Sequence, residues 1–212
     1  MSNDGQVAGV ILAGGRSRRM AGGVKAFADL AGNPMLIAVR NRIQPQVEPL
    51  LLSVEKPAPE WEPFGLEQVP DPTPGSCGPL GGLLAALEKS RFLDAAFLAL
   101  VPCDAPFLPL DLVSRLEGQA GRQSKPVTVV RYGEVVQPVF SLWSTGLVPI
   151  LKEAVMERGM AGFHQFLRQQ DHAILDWPEE PRNPFFNIND RDALSQARQR
   201  LRQAKEQEQC SK

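Results

Sequence analysis

The sequence has few cysteines, little net charge and no long apolar run. Its three cysteines, Cys77, Cys103 and Cys210, are irregularly spaced and odd in number. That pattern argues against a disulfide framework and against a zinc site, and it fits a reducing cytoplasm. The net charge of −1 gives no indication of nucleic-acid binding or of binding to a membrane surface. No apolar run approaches the roughly 20 residues that a membrane-spanning helix needs.

The first residues also lack the pattern of a targeting signal. Residues 1–6 are polar and do not have the basic-then-apolar layout of a signal peptide. We therefore expect a cytoplasmic protein, and we expect it to be a monomer. With 212 residues, of which 43% are hydrophobic, the chain can form one domain with a sizeable core. We assign residues 1–212 to a single domain, with flexible ends at 1–6 and about 203–212.

Short apolar runs alternate along the chain with segments of helical pattern. This alternation predicts an α/β fold with a mainly parallel sheet and helices on both faces. Residues 57–65 and 70–82 are rich in proline or glycine, so we expect an irregular surface segment and a loop there. The predicted strands are Val7–Leu12, Leu50–Val54, Leu66–Val69, Ala95–Val101, Val127–Arg131, Val135–Leu142 and Ala173–Asp176. The predicted helices run from an Asn33 cap and Pro34 to about Gln44, over Leu83–Lys89, about Leu110–Glu117 and Asp190–Glu208, with two short ones in 145–170.

The first strand leads into a glycine-rich, basic loop, GVILAGGRSRRMAGGVKAF at residues 9–27. Gly14 and Gly15 have no side chains, so a ligand can come close to their backbone N–H groups. Three arginines at 16–19, among them Arg19, and Lys25 add cationic donors that bind phosphate oxygens. In a mainly parallel sheet, ligands bind beyond the carboxyl ends of the strands, which is where this loop lies. The loop therefore predicts a polyphosphate site.

This loop matches neither of the two familiar glycine-rich patterns. A P-loop has Ser or Thr directly after its lysine, whereas Ala26 follows Lys25 here. The dinucleotide spacing GxGxxG is also absent. The alternative is a flexible surface turn with solvated arginines, which the position directly after a buried strand disfavours.

A carboxylate follows the predicted central strand. Asp104, in LVPCDAPFL at 100–108, comes directly after an apolar run, where a charge is costly unless it is paired or binds a metal. Mg²⁺ takes oxygen ligands, typically one or two carboxylates together with substrate phosphates. We expect Asp104 to bind Mg²⁺ facing the glycine loop. Because Pro102 and Pro106 favour a turn, the alternative is a turn or helix-capping aspartate.

Together, the two segments indicate phosphoryl or nucleotidyl transfer. Cations and backbone amides would stabilise the leaving phosphates, and Mg²⁺ would offset charge at the attacked phosphorus. No nucleophilic serine, cysteine or histidine is evident. His164 and His172 have no obvious partner in the sequence and are best interpreted as non-catalytic.

Several motifs resemble those of the molybdenum cofactor guanylyltransferase family, a group of nucleotidyltransferases. The resemblance extends over about residues 7–200, and its motifs are specific in combination. They are LAGGRSRRM at 12–20 followed by Lys25, VPD ending at Asp71, GPLGGLLAAL at 78–87, PCDAPFL at 102–108, QPVFSL at 137–142 and NINDRDAL at 187–194.

The resemblance implies a Rossmann-like nucleotidyltransferase fold and a reaction in which molybdenum-molybdopterin attacks the α-phosphate of GTP and pyrophosphate leaves. It implies catalytic roles for Arg19, Lys25 and Asp104, with Asp104 as the ligand of Mg²⁺. It places Gln137, Asn187 and Asn189 beside the pterin substrate. The implied nucleotide-binding residues are Leu12, Ala13, Gly14, Gly15, Lys25, Ser53, Asp71, Gly78, Pro79, Leu80 and Asp104.

The chain departs from the family pattern at three positions. Ala21 replaces the glycine that usually follows the methionine, and Val24 replaces the aspartate that usually precedes the lysine. Ser53 replaces an asparagine, so a shorter contact to the base or ribose is expected there.

Three other functions remain open at this point. A related cytidylyltransferase would share both motifs but use CTP, although it usually has LAAG where this chain has LAGG. A sugar-phosphate nucleotidyltransferase usually has a longer sugar-binding half. A non-catalytic domain that binds GTP and the cofactor would be expected to have lost Lys25 or Asp104. The sequence contains no motif that identifies a protein supplying the cofactor or a protein receiving it.

Overall fold

The structure is a computed structural model that describes residues 6–14, 24–72 and 78–210. Short 3-10 turns occupy Lys25–Phe27, Gln44–Gln46, Pro59–Phe64 and Thr145–Leu147, and a π-helical turn occupies Glu153–Glu157. The helices are α1 (Met35–Ile43), α2 (Gly78–Phe92), α3 (Leu112–Gln123), α4 (Val148–Lys152), α5 (Phe163–Leu167) and α6 (Arg191–Cys210). The strands are β1 (Val7–Leu12), β2 (Asp29–Leu30), β3 (Asn33–Pro34), β4 (Leu50–Val54), β5 (Glu67–Pro70), β6 (Phe97–Pro102), β7 (Val127–Tyr132), β8 (Val135–Ser144) and β9 (Ala173–Trp177).

Seven of these strands form one sheet in the order β5-β4-β1-β6-β8-β7-β9. β1 lies near the middle and pairs in parallel with β4 and β6. β8 runs antiparallel to both of its neighbours, β6 and β7, while β9 is parallel to β7. The prediction of a mainly parallel sheet is confirmed, and the carboxyl ends of β1, β4, β5 and β6 share one edge.

Helices cover both faces of the sheet, as the sequence predicts. Successive side chains of a strand point to opposite faces, and β1 is buried on both. Ile11 packs into the core that includes α1 and α3, while Ala8 and Val10 pack into the core that includes α2, α4 and α5. The β1 strand is therefore apolar throughout because neither face meets solvent.

The C-terminal part of the chain packs back onto the carboxyl edge of the sheet. Phe185 is buried against Phe140, with ring centroids 4.9 Å apart, and against Trp177, at 5.3 Å. Three residues later Ile188 is fully buried in a small third core with Met35 and Phe107, among others. These contacts fix residues 185–188 next to the ends of the parallel strands.

Three predicted local features are wrong in detail. Helix α2 begins at Gly78 rather than at Leu83, because Pro79 in the first turn costs no helical hydrogen bond. Asn33 does not cap α1, since Asn33 and Pro34 pair with β2 and Pro34 is the residue before the helix.

The segment around residues 57–65 is a 3-10 turn with two buried rings, not an irregular surface segment. Trp61 and Phe64 pack against each other and against Phe27. In the described parts of the chain, no helix combines the length and apolar character needed to cross a membrane.

Candidate functional site

A cavity of about 620 Å³ opens at the carboxyl edge of the sheet. Its volume is within the range of small-molecule sites, which is roughly 300–1,000 Å³. It lies at the ends of β1, β4, β5 and β6, where ligands bind in sheets of this type. Its lining consists of Leu12, Gly14, Lys25, Ser53, Glu55, Asp71, Gly78, Pro79, Gly82, Pro102, Cys103, Asp104 and Val139.

Parallel pairing brings these strand ends into register. Leu12 lies opposite Ser53 on β4 and opposite Pro102 on β6. Backbone bonds continue the pairing past the end of β1, since Ala13 N donates to the Ser53 carbonyl at 2.9 Å and Cys103 N donates to the Leu12 carbonyl at 3.1 Å. The ends of three strands are thus tied together at the floor of the cavity.

The lysine after the glycine loop and the aspartate after the central strand meet in this cavity. Lys25 Nζ donates to Asp104 Oδ2 at 2.6 Å and to Asn189 Oδ1 at 2.5 Å. The Lys25 and Asp104 side chains are only 18% and 12% exposed. The two segments therefore converge on one site, although 79 residues separate them in the sequence.

Aromatic packing holds the turn that contains Lys25. Phe27, two residues later, stacks on Trp61 with centroids 4.7 Å apart and lies 5.6 Å from Phe64. Ala26 between them is fully buried. The backbone at Lys25 is thus anchored, and only the side chain extends into the cavity.

A second part of the lining carries a hydroxyl and two carboxylates. A Cβ built on Gly82 would overlap Ser53 Oγ and would come within 3.2 Å of Asp71 Oδ1, so only glycine leaves room for both groups. Burial, together with repulsion from the nearby Glu55 carboxylate, raises the pKa of Asp71 to about 6. Asp71 is therefore a carboxylate that titrates just below neutral pH.

The cysteine next to Asp104 is not an activated nucleophile. Cys103 is buried, and burial together with the charge of Asp104 raises the pKa of its thiol to about 12. A thiol in that state is protonated at neutral pH, and the thiolate is the reactive form. We therefore assign no nucleophilic role to Cys103.

Most of the predicted site residues lie on this cavity, but several do not. Leu80 is fully buried in the core beneath α2, so its side chain does not face the cavity. Ala13 is also buried, and its backbone N–H donates to the Ser53 carbonyl. Gln137 lies on β8 opposite Val130, outside the cavity lining. Gly15 and Arg19 lie outside the described residues.

The two asparagines of the NIND motif differ in their surroundings. Asn189 is exposed and binds Lys25. Asn187 is partly buried, and its Oδ1 atom has no hydrogen-bond partner within residues 6–14, 24–72 and 78–210. This oxygen is shielded from solvent, and a buried oxygen without a partner carries a desolvation cost.

Sequence reasoning missed some of the lining and the aromatic anchors. Glu55 comes directly after β4, and the rule that placed Asp104 after β6 could have found it. Val139 comes from the antiparallel strand β8, which no local pattern placed beside β6. Phe185 had no signal beyond its hydrophobicity.

The oxygen atoms around the Lys25 ammonium fit a cation site. Asp104 Oδ2 and Asn189 Oδ1 both face the same positive charge. Carboxylate and amide oxygens are ligands of Mg²⁺, which commonly takes only one or two carboxylates and completes its shell with phosphates and water. In the part of the chain that the structure describes, no group of three or more His, Cys, Asp or Glu residues could hold a metal ion. One carboxylate and one amide oxygen are too few to hold Mg²⁺ by themselves, so Mg²⁺ at this position would need further ligands from a substrate and from water.

Known proteins resemble this chain over most of its length. The model of the MobA-like NTP transferase domain matches residues 9–174. A protein of Bradyrhizobium sp. (strain ORS 278) named molybdenum cofactor guanylyltransferase is 37% identical over 193 residues, or 90% of this chain and 91% of that protein. A protein of the same name from Shewanella putrefaciens is 36% identical over 180 residues, or 85% and 90% of the two chains.

Solved structures share the fold. Molybdopterin-guanine dinucleotide biosynthesis protein A from Archaeoglobus fulgidus has a TM-score of 0.75 at 18% identity, covering 92% of this chain and 99% of that one. A structure of CMP:2-keto-3-deoxy-manno-octonic acid synthetase complexed with CTP has a TM-score of 0.69 at 13% identity, covering 94% and 99%. These neighbours confirm the predicted nucleotidyltransferase fold. Since the family model spans most of the sheet and the relatives align over nearly the whole chain, this protein belongs to the family of MobA-like NTP transferase domains.

Proposed function

We propose that this protein transfers the guanylyl group of GTP to the terminal phosphate of molybdenum-molybdopterin. An oxygen of that phosphate forms a bond to the α-phosphorus of GTP, and the bond from this phosphorus to the bridging β-phosphate oxygen breaks. Pyrophosphate leaves, and the product is the guanine dinucleotide form of the cofactor. The observation that carries the proposal is the pairing of Lys25 with Asp104 in the cavity at the carboxyl edge, 2.6 Å apart.

The chain's own task in this reaction is to bring two anions together. The attacking phosphate is anionic at neutral pH, so it needs no protein base, and alignment and charge neutralisation account for the rate. Lys25 provides a cation within the cavity, and its turn is fixed by Phe27. Arg19, from the glycine loop, is proposed to act beside it.

Asp104 is the residue we assign to Mg²⁺. When bound, Mg²⁺ would supply positive charge against the triphosphate. Lys25 would donate to a phosphate oxygen while it keeps its hydrogen bond to Asp104. The low exposure of both side chains strengthens these interactions, because water screens them less than at the surface.

The nucleotide is assigned to the cavity, and the pterin is assigned to residues outside its lining. Leu12, Gly14, Ser53, Asp71, Gly78 and Pro79 line the cavity and are proposed to contact GTP. Ala13 and Leu80 do not line it, and their N–H groups bond to backbone carbonyls, so we assign them the role of holding the neighbouring lining residues in place. Gly15, outside the described residues, is proposed to lie near the phosphates. Gln137, Asn187 and Asn189 are proposed to face the pterin. Asn189, which is exposed and bonded to Lys25 of the cavity lining, supports that assignment.

The proposal extends to the cellular compartment, the oligomeric state and the partner proteins. We propose that it acts in the cytoplasm, as a monomer, receiving the cofactor from one protein and passing it to another. The low cysteine content and the absence of any spacing typical of disulfides support a reducing compartment.

The experiment that tests the function is pyrophosphate release with purified protein, Mg²⁺ and molybdenum-molybdopterin. GTP and CTP are compared at equal concentrations, and reactions without the pterin serve as the control. We expect release with GTP that depends on the pterin and is at least tenfold faster than with CTP. Faster release with CTP would identify a cytidylyltransferase. GTP binding without release would identify a non-catalytic domain.

A further inference from the structure

The C-terminal part of the chain contacts the cationic side chain of the nucleotide site directly. Asn189 Oδ1 accepts a hydrogen bond from Lys25 Nζ at 2.5 Å, and 164 residues separate the two in the sequence. Asn189 lies beyond residue 174, where the match to the family model ends. A segment assigned to the pterin side is therefore also bonded to the lysine assigned to the phosphates.

The backbone around Asn189 is fixed by its neighbours. Ile188 N donates to the Asp104 carbonyl at 2.8 Å, and the Ile188 side chain is fully buried. Asp190 Oδ1 accepts from Ala193 N at 2.8 Å at the start of α6. Asn189 thus lies between two anchored residues. Its backbone is therefore held in place even though the residue is exposed to solvent.

A second contact ties α6 to the chain just after Lys25. Arg198 on α6 donates to the Asp29 carbonyl at 2.8 Å. Leu30 shares the small third core with Ile188 and Leu194. The C-terminal part therefore binds both the Lys25 side chain and the strand that follows it, so the two segments keep one relative position.

The acceptor in the contact between Asn189 and Lys25 is a neutral amide oxygen, and this determines its effect on the lysine. A lysine ammonium has three N–H donors, and within the described residues Asp104 and Asn189 take two of them. The Asn189 amide oxygen is neutral, so it directs the ammonium without cancelling its charge. A carboxylate at position 189 would instead compete with a phosphate for the lysine.

We propose that Asn189 is a positioning residue that aims the Lys25 ammonium at the triphosphate. Its oxygen and that of Asp104 hold the ammonium from two sides and leave one donor for a phosphate oxygen. Asn189 thereby acts on the nucleotide through Lys25, in addition to lying beside the pterin. This inference rests on the proposed function for the identity of the nucleotide.

A double-mutant cycle tests the route through Lys25. Asn189→Leu removes the acceptor while keeping a branched side chain with the same number of heavy atoms, and Lys25→Met removes the donor. With molybdenum-molybdopterin saturating, so that weaker binding of the pterin does not contribute, we expect Asn189→Leu to lower kcat/KM for GTP about tenfold in the wild-type background, since hydrogen bonds to charged groups are strong. In the Lys25→Met background the same change should have almost no further effect. Losses that multiply in the double variant would overturn the proposal.

A second measurement does not need turnover. Lys25 in the full chain without nucleotide is acetylated with limiting acetic anhydride, and its modification rate is followed by mass spectrometry. We expect Asn189→Leu to raise this rate several-fold, and Asn189→Asp, which keeps an acceptor, to leave it at or below the wild-type rate. Gln199→Leu, an exposed amide replacement on α6, is the matched control.

The two measurements separate the inference from the proposed function. If the wild-type protein releases no pyrophosphate from GTP, the proposed function fails, and the labelling rate of Lys25 still decides the role of Asn189. An Asn189→Leu variant whose Lys25 is labelled at the wild-type rate would refute the positioning role. Thermal unfolding of each variant shows whether the fold is intact.

Discussion

Replacing Asp71 by asparagine removes a carboxyl group from the cavity and should change how the stability of the protein depends on pH. Burial and the Glu55 charge raise the pKa of Asp71 from 3.8 to about 6. The charged form is therefore disfavoured in the folded state. Asparagine has nearly the same shape and does not titrate, so it removes this effect with little change in packing.

The direction and the size of the stability change follow from the raised pKa of Asp71. Below about pH 4, Asp71 is protonated in both the folded and unfolded states and contributes no pH dependence. Between about pH 4 and 6 the unfolded chain loses its proton first, so the free energy of unfolding of the wild-type protein falls as the pH rises. A shift of about two units corresponds to about 3 kcal/mol at most. Because Asp71 is only partly buried, solvent screening reduces this, and we expect about 1–2 kcal/mol.

The assay is urea unfolding without nucleotide, followed by tryptophan fluorescence near pH 4 and near pH 7. Asp71→Asn should be about as stable as the wild-type protein at the lower pH and about 1–2 kcal/mol more stable at the higher pH. Glu60→Gln, which replaces an exposed carboxyl, is the matched control. An Asp71→Asn variant with the same stability difference at both pH values would refute the argument.

Four further substitutions test the site. Lys25→Ala should lower kcat far more than it lowers GTP affinity measured by calorimetry, and equal losses would mean that Lys25 only binds. Asp104→Ala should abolish Mg²⁺-dependent pyrophosphate release, so normal turnover would rule out the metal role. Gly82→Ala should weaken GTP binding and lower unfolding stability by about 1–3 kcal/mol, because its Cβ would overlap Ser53 Oγ. An unchanged GTP affinity would contradict that geometry. Phe185→Ala should cost about 3–5 kcal/mol in urea unfolding, since the ring is 2% exposed, and wild-type stability would contradict its role as an anchor.

The local patterns of the sequence were sufficient for most of the parallel sheet. The β1 and β4 strands have the predicted bounds, Val7–Leu12 and Leu50–Val54. Both are apolar on two faces, and such runs are recognised within a few residues. The boundary of α2 was missed because Gly78 and Pro79 suggest a loop by composition, although in the fold they form a helix start.

The residues at strand ends were predictable for the same reason. Lys25 after the first strand and Asp104 after the central one could be assigned to one edge, because parallel strands end on the same side of a sheet. The motif resemblance added Ser53, Asp71 and Asn189, which the strand patterns alone did not identify. The sequence thus indicated the chemical character of these residues, and the structure then showed which residues they contact.

By itself the sequence determined the alternation of strands and helices, the cationic loop and the carboxylate after the central strand, since each depends on neighbouring residues. Only the tertiary structure decided that β8 enters the sheet antiparallel beside β6, and that Asn189 reaches Lys25. The same holds for the raised pKa of Asp71, which depends on burial and on Glu55. These features come from contacts between segments far apart in the chain, where packing of the whole domain sets the geometry and no local pattern records it.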